Sequence, residues 1–399
     1  MRTADVLIIG GGPAGSTCAW QLARLGFDVV VWDRKVFPRD KICAGWITPH
    51  VVAALELDLA AYAAGGRTCQ PILGFQVSRQ GDREARVRYP QPVSYGIRRC
   101  EFDHYLLERC GAERRLGEPL RTLARVDGHW VVNGAVRAPV LVGAGGHFCP
   151  VAQRLGAQLG QGEPVIAAQE SEFRLTPEQA RACRVEADLP EIFFTRDLKG
   201  YGWVFRKGDY INIGLGRRGN EKLGAHVSAF LSWLAARGKI PTELGSKPCG
   251  HPYLLYDEAP RPLCGDGALL IGDAAGLAYP KSGEGIRPAI ESGLIAATTL
   301  ADAAGRYDDA SLAPYAQRMI ERFGPRAVQP SVLDLLPGWM LRGVAGQLFG
   351  QRWFARRVVL DDWFFHVAQP PLAAAKAGEP RTRRSLDNNE RGRESAAQS

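Results

Sequence analysis

The chain has 399 residues, 46% hydrophobic and 23% charged, with a formal net charge of +8, a globular composition long enough for two or three domains around a well-buried core. No run reaches the apolar length of a membrane-spanning helix. There is no zinc-finger spacing and no basic–aromatic RNA-binding signature, and the charges are interspersed, so no nucleic-acid partner is expected. The nine cysteines are odd in number and contain no Cys-x-x-Cys pair. The first apolar run, Val6 to Ile9, is too short for a secretory signal. Reduced thiols in a cytoplasmic protein are therefore expected, with no metal site.

The first unit is "DVLIIGGGPAGSTCAWQLARLGFDVVVWDR". Val6–Ile9 is of strand length and β-branched. Gly10, Gly12 and Gly15 follow in G-x-G-x-x-G spacing, with Pro13 and Ala14 between them. A helical pattern over 16–25 leads through Gly26 to a second strand, Val29–Trp32, which Asp33 ends and Arg34 follows. Gly10 permits the tight turn, Gly12 a close approach of backbone to pyrophosphate, and Gly15 tight helix–strand packing. Free N–H groups at the helix start suit the phosphates, and Asp33 suits a ribose diol. The spacing alone would also fit a glycine-rich βα turn without a ligand. Together, the strand, helix, second strand and terminal acid point to a dinucleotide.

Directly after this unit comes "FPRDKICAGWITP", with Cys43 between a charged run and Gly45-Trp46. The thiol either packs or faces a reaction. Further on, "FQVSRQGDREARVRYP" predicts a hairpin around Gly81-Asp82. "GIRRCEFDHYLLERCG" places Arg99 at the head of a helix whose apolar side carries Phe102, Leu106 and Leu107. Val140–Val142 is a strand ending in Gly143-Ala144-Gly145-Gly146.

"KGYGWVFRKGDYINIGLGRR" predicts a second hairpin, turning at 207–209. In it Tyr201, Trp203 and Phe205 share one face and Val204 takes the other. That face is either core or the wall of a hydrophobic pocket. A helix is expected over 225–237. A strand at 268–271 then runs into Gly272-Asp273, a loop with Gly283-Glu284-Gly285, and a long helix beginning at Ile286. Asp273 by itself could be a helix N-cap.

Residues 331–366 are helical by pattern, and Arg342, Arg352, Arg356 and Arg357 lie between 338 and 360 with no acid among them. That segment is either a helical cap on the preceding domain or a basic amphipathic surface for anionic membrane. From 369 onward the composition predicts a disordered tail.

The order and spacing of these motifs resemble the flavoprotein superfamily typified by p-hydroxybenzoate hydroxylase, over roughly 4–330. The resemblance implies an α/β fold: a Rossmann-like FAD-binding domain from 1–67, 97–164 and 261–325, and an inserted antiparallel β-sheet substrate domain from 68–96 and 165–260. A C-terminal helical region over 326–368 and the tail over 369–399 complete it. It implies FAD contacts at Arg99, at Gly272 and Asp273 on the ribityl chain, and at Gly283, Gly285 and Ile286 along the flavin ring. One departure is Gly145, where the family usually has Asp in Gly-Ala-Asp-Gly, which could loosen a loop-anchoring contact.

Tyr201-x-Trp203-x-Phe205 is similar to a substrate-cavity motif of the geranylgeranyl reductases, although their following Pro is Arg206 here. Lys41-x-Cys43 is similar to their Lys-x-Cys-Gly, with the glycine one place late at Gly45. The resemblance implies hydride transfer from flavin to carbon–carbon double bonds of a prenyl or other lipophilic substrate, with Trp46, Tyr201, Trp203 and Phe205 around it. Cys43 and Tyr201 are the candidate catalytic residues, and Arg39 and Lys41 could lower the Cys43 pKa. No second dinucleotide fingerprint is present, so the electron donor is NAD(P)H bound transiently or a reduced ferredoxin-like protein. Two alternatives stay open: a flavin-dependent monooxygenase of an aromatic or natural-product substrate, and a flavin-binding or electron-storage protein without turnover.

Overall fold

The computed structural model describes residues 1–160, 162–219, 222–328 and 338–375. Its first layer is a six-stranded sheet in the order Cys264–Gly265, Ala268–Leu270, Val140–Gly143, Val6–Ile9, Val29–Asp33, Glu113–Leu116. All neighbours are parallel except the first pair. The central strand Val6–Ile9 is buried along its whole length, as a parallel strand covered on both faces must be. Helices Pro13–Arg24 and Ile286–Asp302 pack side by side over this sheet.

The second layer is a seven-stranded, mostly antiparallel sheet in the order Cys249–Leu254, Val165–Arg174, Tyr210–Arg218, Gly200–Lys207, Glu191–Phe194, Gly74–Arg79, Ala85–Arg88. Both expected hairpins form, with Gly74–Arg79 on Ala85–Arg88 and Gly200–Lys207 on Tyr210–Arg218. The architecture is the expected Rossmann-like α/β layer with an antiparallel sheet inserted and helices at the C-terminus. A three-stranded patch, Trp46–Ile47 with Ser94–Gly96 and Gln70–Ile72, bridges the two layers. It carries the Cys43 loop from one to the other.

Alternation along Gly200–Lys207 divides the second core as the period of two requires. Val204 joins the cluster under helix Leu223–Ala235. Trp203 and Phe205 join an aromatic cluster on the opposite face. The cover for that face is the C-terminal segment: helix Gly338–Phe349, the short turn Arg352–Phe354, and the wide π-helical stretch Ala355–Phe364. Phe349 stacks on Phe194 with ring centroids 4.2 Å apart, and Phe364 meets Tyr201 at 5.5 Å and Trp46 at 5.9 Å. The segment therefore forms a cap, while Arg352, Trp353, Arg356 and Arg357 stay exposed on its outer side.

The expected tail begins too early. Residues 369–375 lie as a strap on the first layer, because their backbone carbonyls are satisfied by buried donors. Arg287 donates to Gln369 O (2.7 Å), Arg322 to Pro370 O (2.7 Å) and Gln21 to Ala375 O (2.9 Å). Glu291 holds both arginines, at 2.9 and 2.5 Å. Residues 329–337, the Arg342 side chain and the tail from 376 lie outside the described residues. Among the described residues no helix is long and apolar enough to cross a membrane, and no group of His, Cys, Asp and Glu could hold a metal ion. The nine cysteines form no disulfide.

Candidate active site

A cleft of about 560 Å³ runs from Asp33 and Arg34 at one end to Trp46, Tyr201 and Trp203 at the other. Strand Val6–Ile9 delivers Gly10 and Gly12 to the start of helix Pro13–Arg24, and Gly10, Gly12, Pro13 and Ala14 all line the cleft. Gly10 has φ +114°, and a methyl group on it would strike the Ala144 carbonyl, so glycine is needed there for the chain itself. Gly12 is different. A Cβ there would meet only Arg39 Nη2, at 3.4 Å, so its lack of a side chain leaves the cleft open. Gly15 does not face the cleft, and a methyl group on it would strike the Gly10 carbonyl. Asp33 orders the turn, accepting from Gly11 N–H (2.7 Å) and Lys35 N–H (2.8 Å).

At mid-cleft, strand Ala268–Leu270 runs into a single 3₁₀ turn, Gly272–Ala274. Gly283, Gly285 and Ile286 line the cleft where the second helix begins. Gly272 (φ +59°) lies behind it, against Ala14 and Ala289. Neither helix has a side-chain N-cap bond or an acid in its first turn. Both helix starts face one cavity: the first has uncompensated N–H groups, which favour an anion, and the second stands beside Glu284, whose carboxyl accepts from Arg287 N–H. The cavity fits FAD, which Gly12 and Pro13 would hold at the first helix start and Gly285 and Ile286 at the second.

The charged residues between these points are tightly paired. Arg99 holds Asp103 in a two-point bond, at 2.8 and 2.9 Å, and Arg39 stands 3.2 Å from the same carboxylate. Burial works against ionisation of Asp273, but the His251 ring (3.8 Å), Lys41 (4.0 Å) and Arg99 outweigh it and hold the carboxyl below the usual range. Burial pulls Lys41 down to about 8.

Cys43 lines the cleft. Its sulfur accepts from Gly45 N–H at 3.4 Å. Burial pushes the thiol pKa up, and the Arg99 guanidinium only partly opposes this. The expected lowering by Arg39 and Lys41 does not prevail, because burial of the thiol outweighs the cations near it. Cys43 is therefore a protonated thiol at neutral pH. Tyr201 is also held neutral by burial, and its hydroxyl donates to the Ser282 carbonyl. Glu284, in the loop before the second helix, is raised to about 7 by burial, while its Oε1 accepts from Arg287 N–H at 2.9 Å.

Trp46 and Trp203 form the apolar wall with Tyr201. Phe205 does not line the cleft. It is 2% exposed and sits behind Trp46, with centroids 6.1 Å apart, and beside Phe75 at 5.9 Å. The sequence reading missed the strand Cys249–Leu254, whose Cys249, His251 and Tyr253 all line the cleft. Their period-two spacing was the available signal. Pro252 masked it, although proline is compatible with this strand because it lies at the sheet edge.

The loop at Gly145 is anchored without the aspartate. A Cβ on Gly145 would come within 3.2 Å of the Cys149 sulfur, leaving little room for a longer side chain. The adjoining His147 is buried beside Arg261, which grips Glu163 at 2.7 Å through two nitrogens. Arg261 also donates to the carbonyls of Asp273 and Ala274, both at 3.2 Å. One buried pair thus ties the third-strand turn to the Asp273 turn. Burial, aided by Arg261, lowers His147 to about 4 and keeps it neutral.

Residues 5–75 match the FAD dependent oxidoreductase family. Among solved structures, the fold is similar to a geranylgeranyl bacteriochlorophyll reductase-like protein from Thermoplasma acidophilum. The TM-score is 0.70 at 21% identity, covering 88% of this chain and 91% of that one. Digeranylgeranylglycerophospholipid reductase 2 of Methanopyrus kandleri is 28% identical over 364 residues, 80% of this chain and 83% of that protein. Menaquinone reductase of Mycobacterium tuberculosis is 30% identical over 320 residues, 75% of this chain and 76% of that protein. The chain belongs to the geranylgeranyl reductase family of FAD-dependent oxidoreductases.

Proposed function

We propose that the protein saturates carbon–carbon double bonds in the prenyl chain of a lipid or quinone. The observation that carries this reading is the meeting, in one cleft, of two helix starts, the Trp46–Tyr201–Trp203 wall and the Cys43 thiol. When bound and reduced, FAD supplies a hydride. An isolated alkene accepts hydride poorly, so a proton must be provided at the other carbon in step with it. The groups around the cleft that carry one at neutral pH or close to it include the Cys43 thiol, the Tyr201 and Tyr253 hydroxyls, the Lys41 ammonium and Glu284. Cys43 and Tyr201 belong to the segments that build the aromatic wall, and we assign proton delivery to them, with Glu284 resupplying it from the loop. The wall binds the apolar chain and keeps water from the reacting carbons. The helix start at Ile286 holds the negative charge of the reduced cofactor.

The chain has one dinucleotide fingerprint, so electrons come from NAD(P)H visiting the same cleft or from a reduced ferredoxin-like protein. The exposed Trp353, with Arg352, Arg356 and Arg357 around it, suits contact with an anionic membrane from which a cytoplasmic enzyme would draw lipid.

The test is an oxygen-free reduction of the purified flavoprotein with dithionite, followed by a geranylgeranyl phospholipid or menaquinone. Flavin reoxidation with a gain of two hydrogens per saturated bond supports the proposal. Indifference to both lipids, with oxygen incorporated into an aromatic substrate once air is admitted, would establish the monooxygenase instead.

A further inference from the structure

Below the Cys43 loop lies a buried polar cluster that the chemistry above does not use. Glu170 is on strand Val165–Arg174 and is 7% exposed, and Asn212, on Tyr210–Arg218, is fully buried. Glu170 Oε1 accepts the Cys43 N–H at 2.7 Å. Asn212 Nδ2 donates to the Cys43 carbonyl at 3.1 Å. Residue 43 is thus held at both its N–H and its carbonyl by two side chains from the antiparallel sheet, more than a hundred positions away in sequence.

The rest of the cluster keeps these two side chains aimed. Trp203 Nε1–H donates to Asn212 Oδ1 at 2.7 Å, which fixes the amide so that Nδ2 points toward Cys43 and the carboxylates. Nδ2 lies 3.3 Å from Glu170 Oε2 and 3.1 Å from Glu172 Oε2. The fully buried Lys207 donates to Glu172 at 2.6 Å and to Ile97 O at 3.0 Å, and Arg98 donates to Glu172 at 3.2 Å. The direct cation contacts therefore go to Glu172. Glu170 is met by dipoles, with the Lys207 charge acting on it from farther off. A carboxylate buried in this way is costly unless its hydrogen bonds are well made, and one of them goes to the backbone of the loop residue that faces the cleft.

We infer that Glu170 and Asn212 are positioning residues that clamp residue 43 so that its thiol is held toward the reacting bond, and that Trp203 sets the clamp as well as lining the wall. The inference rests on the proposed role of Cys43, and its tests separate the two. In the flavin-loaded protein, Glu170→Ala should free the loop and raise the site-specific alkylation rate of Cys43 about tenfold, while the turnover of a geranylgeranyl phospholipid falls about tenfold and its KM stays within about twofold. Glu170→Gln retains an acceptor for the Cys43 N–H and should rescue both rates to within about threefold of wild type. Asn212→Ala should repeat the Glu170→Ala pattern, providing a second variant if the first fails to retain FAD. In a Cys43→Ala background, Glu170→Ala should change turnover by less than about twofold. Unchanged alkylation in both clamp variants, or an equal loss of turnover with and without Cys43, would overturn the clamp. Alkylation is read without turnover, so inactivity of the wild type on prenyl lipids would sink the proposed function and leave the clamp to be judged by its own measurement.

Discussion

The two ends of the cleft are made in different ways. The dinucleotide end is built from backbone: glycines at a strand–helix turn, two helix starts, and one carboxylate that orders the turn. The substrate end is built from side chains on five separate segments, around residues 43–46, 170–172, 201–203, 249–253 and 282–284, and stands on a buried network of two glutamates, an asparagine and a lysine. A backbone site tolerates variation in everything except the residues that must lack a side chain. A side-chain site depends on strand register, so its parts cannot change independently. The first end suits the phosphates of a dinucleotide through its backbone, and the second sets its shape and polarity through side chains.

The contrast is broken most severely at the glycines. Gly10→Ala puts a methyl group into the Ala144 carbonyl at a φ of +114°, and should destabilise the protein by about 3 kcal/mol or more and abolish flavin retention. Gly12→Ala should leave apo-protein stability within about 1 kcal/mol and weaken FAD binding about tenfold, or 1.4 kcal/mol. Urea unfolding of the apo forms and flavin titration by fluorescence would separate the two. Equal loss of stability in both would mean that Gly12 is structural as well.

At the other end, Trp46 is a keystone as much as a wall. It touches Phe75, Phe205, Phe364 and Phe365 with centroids 5.4 to 6.1 Å away. Trp46→Ala should cost about 3 kcal/mol of stability and raise the KM for a prenyl lipid more than it lowers kcat. Denaturant midpoints and steady-state kinetics would show whether both losses occur together.

These two sites also show what could be read in the chain alone. The dinucleotide end was legible because its signals are local: Val6–Ile9, three spaced glycines and Asp33 lie within one βαβ unit. The faces of Gly200–Lys207 were legible from alternation. Which neighbour covers each face was not. Phe205 has the right parity for the pocket, yet Trp46 lies in front of it and the C-terminal segment seals the same aromatic cluster. Glu170 and Asn212 carry no local signal of their role, because it comes from register between strands far apart in sequence. The strap at 369–375 was hidden for a related reason: its order comes from distant partners, the donors on Arg287, Arg322 and Gln21 and the core against which Leu372 packs.

Glu284 gives a smaller effect, visible against pH. Its folded pKa of about 7 lies above the ordinary 4.5, so the fold favours the neutral carboxyl. The stability this contributes is present below pH 4.5 and is lost as the pH rises toward 7. Glu284→Gln should flatten that part of the apo-protein stability profile. If the carboxyl resupplies the proton, wild-type turnover should fall above about pH 7 and the variant should lack that limb. A variant with the wild-type profile in both measurements would remove Glu284 from the account.

The mildest change is at the surface. Arg352→Glu with Arg357→Glu should weaken binding to anionic vesicles by about 1 kcal/mol per charge while leaving turnover of detergent-dispersed lipid unaltered. Vesicle co-sedimentation across a salt series would read the first part, and a loss of turnover in detergent would show that the outer face serves the cleft directly.

The central claim is that this cleft delivers a hydride and a proton to opposite ends of an isolated alkene. Its most direct test is a single turnover of the dithionite-reduced protein in D₂O, without oxygen, on a geranylgeranyl phospholipid, followed by product mass spectrometry. The account predicts that each saturated bond carries two non-exchangeable deuterium atoms, one on each carbon, because the N5 hydrogen of dithionite-reduced flavin and the proton delivered from the cleft both exchange with solvent, and that Cys43→Ala slows their incorporation while FAD content stays normal. A product without carbon-bound deuterium, or a lipid recovered unsaturated while the flavin stays reduced, would contradict it.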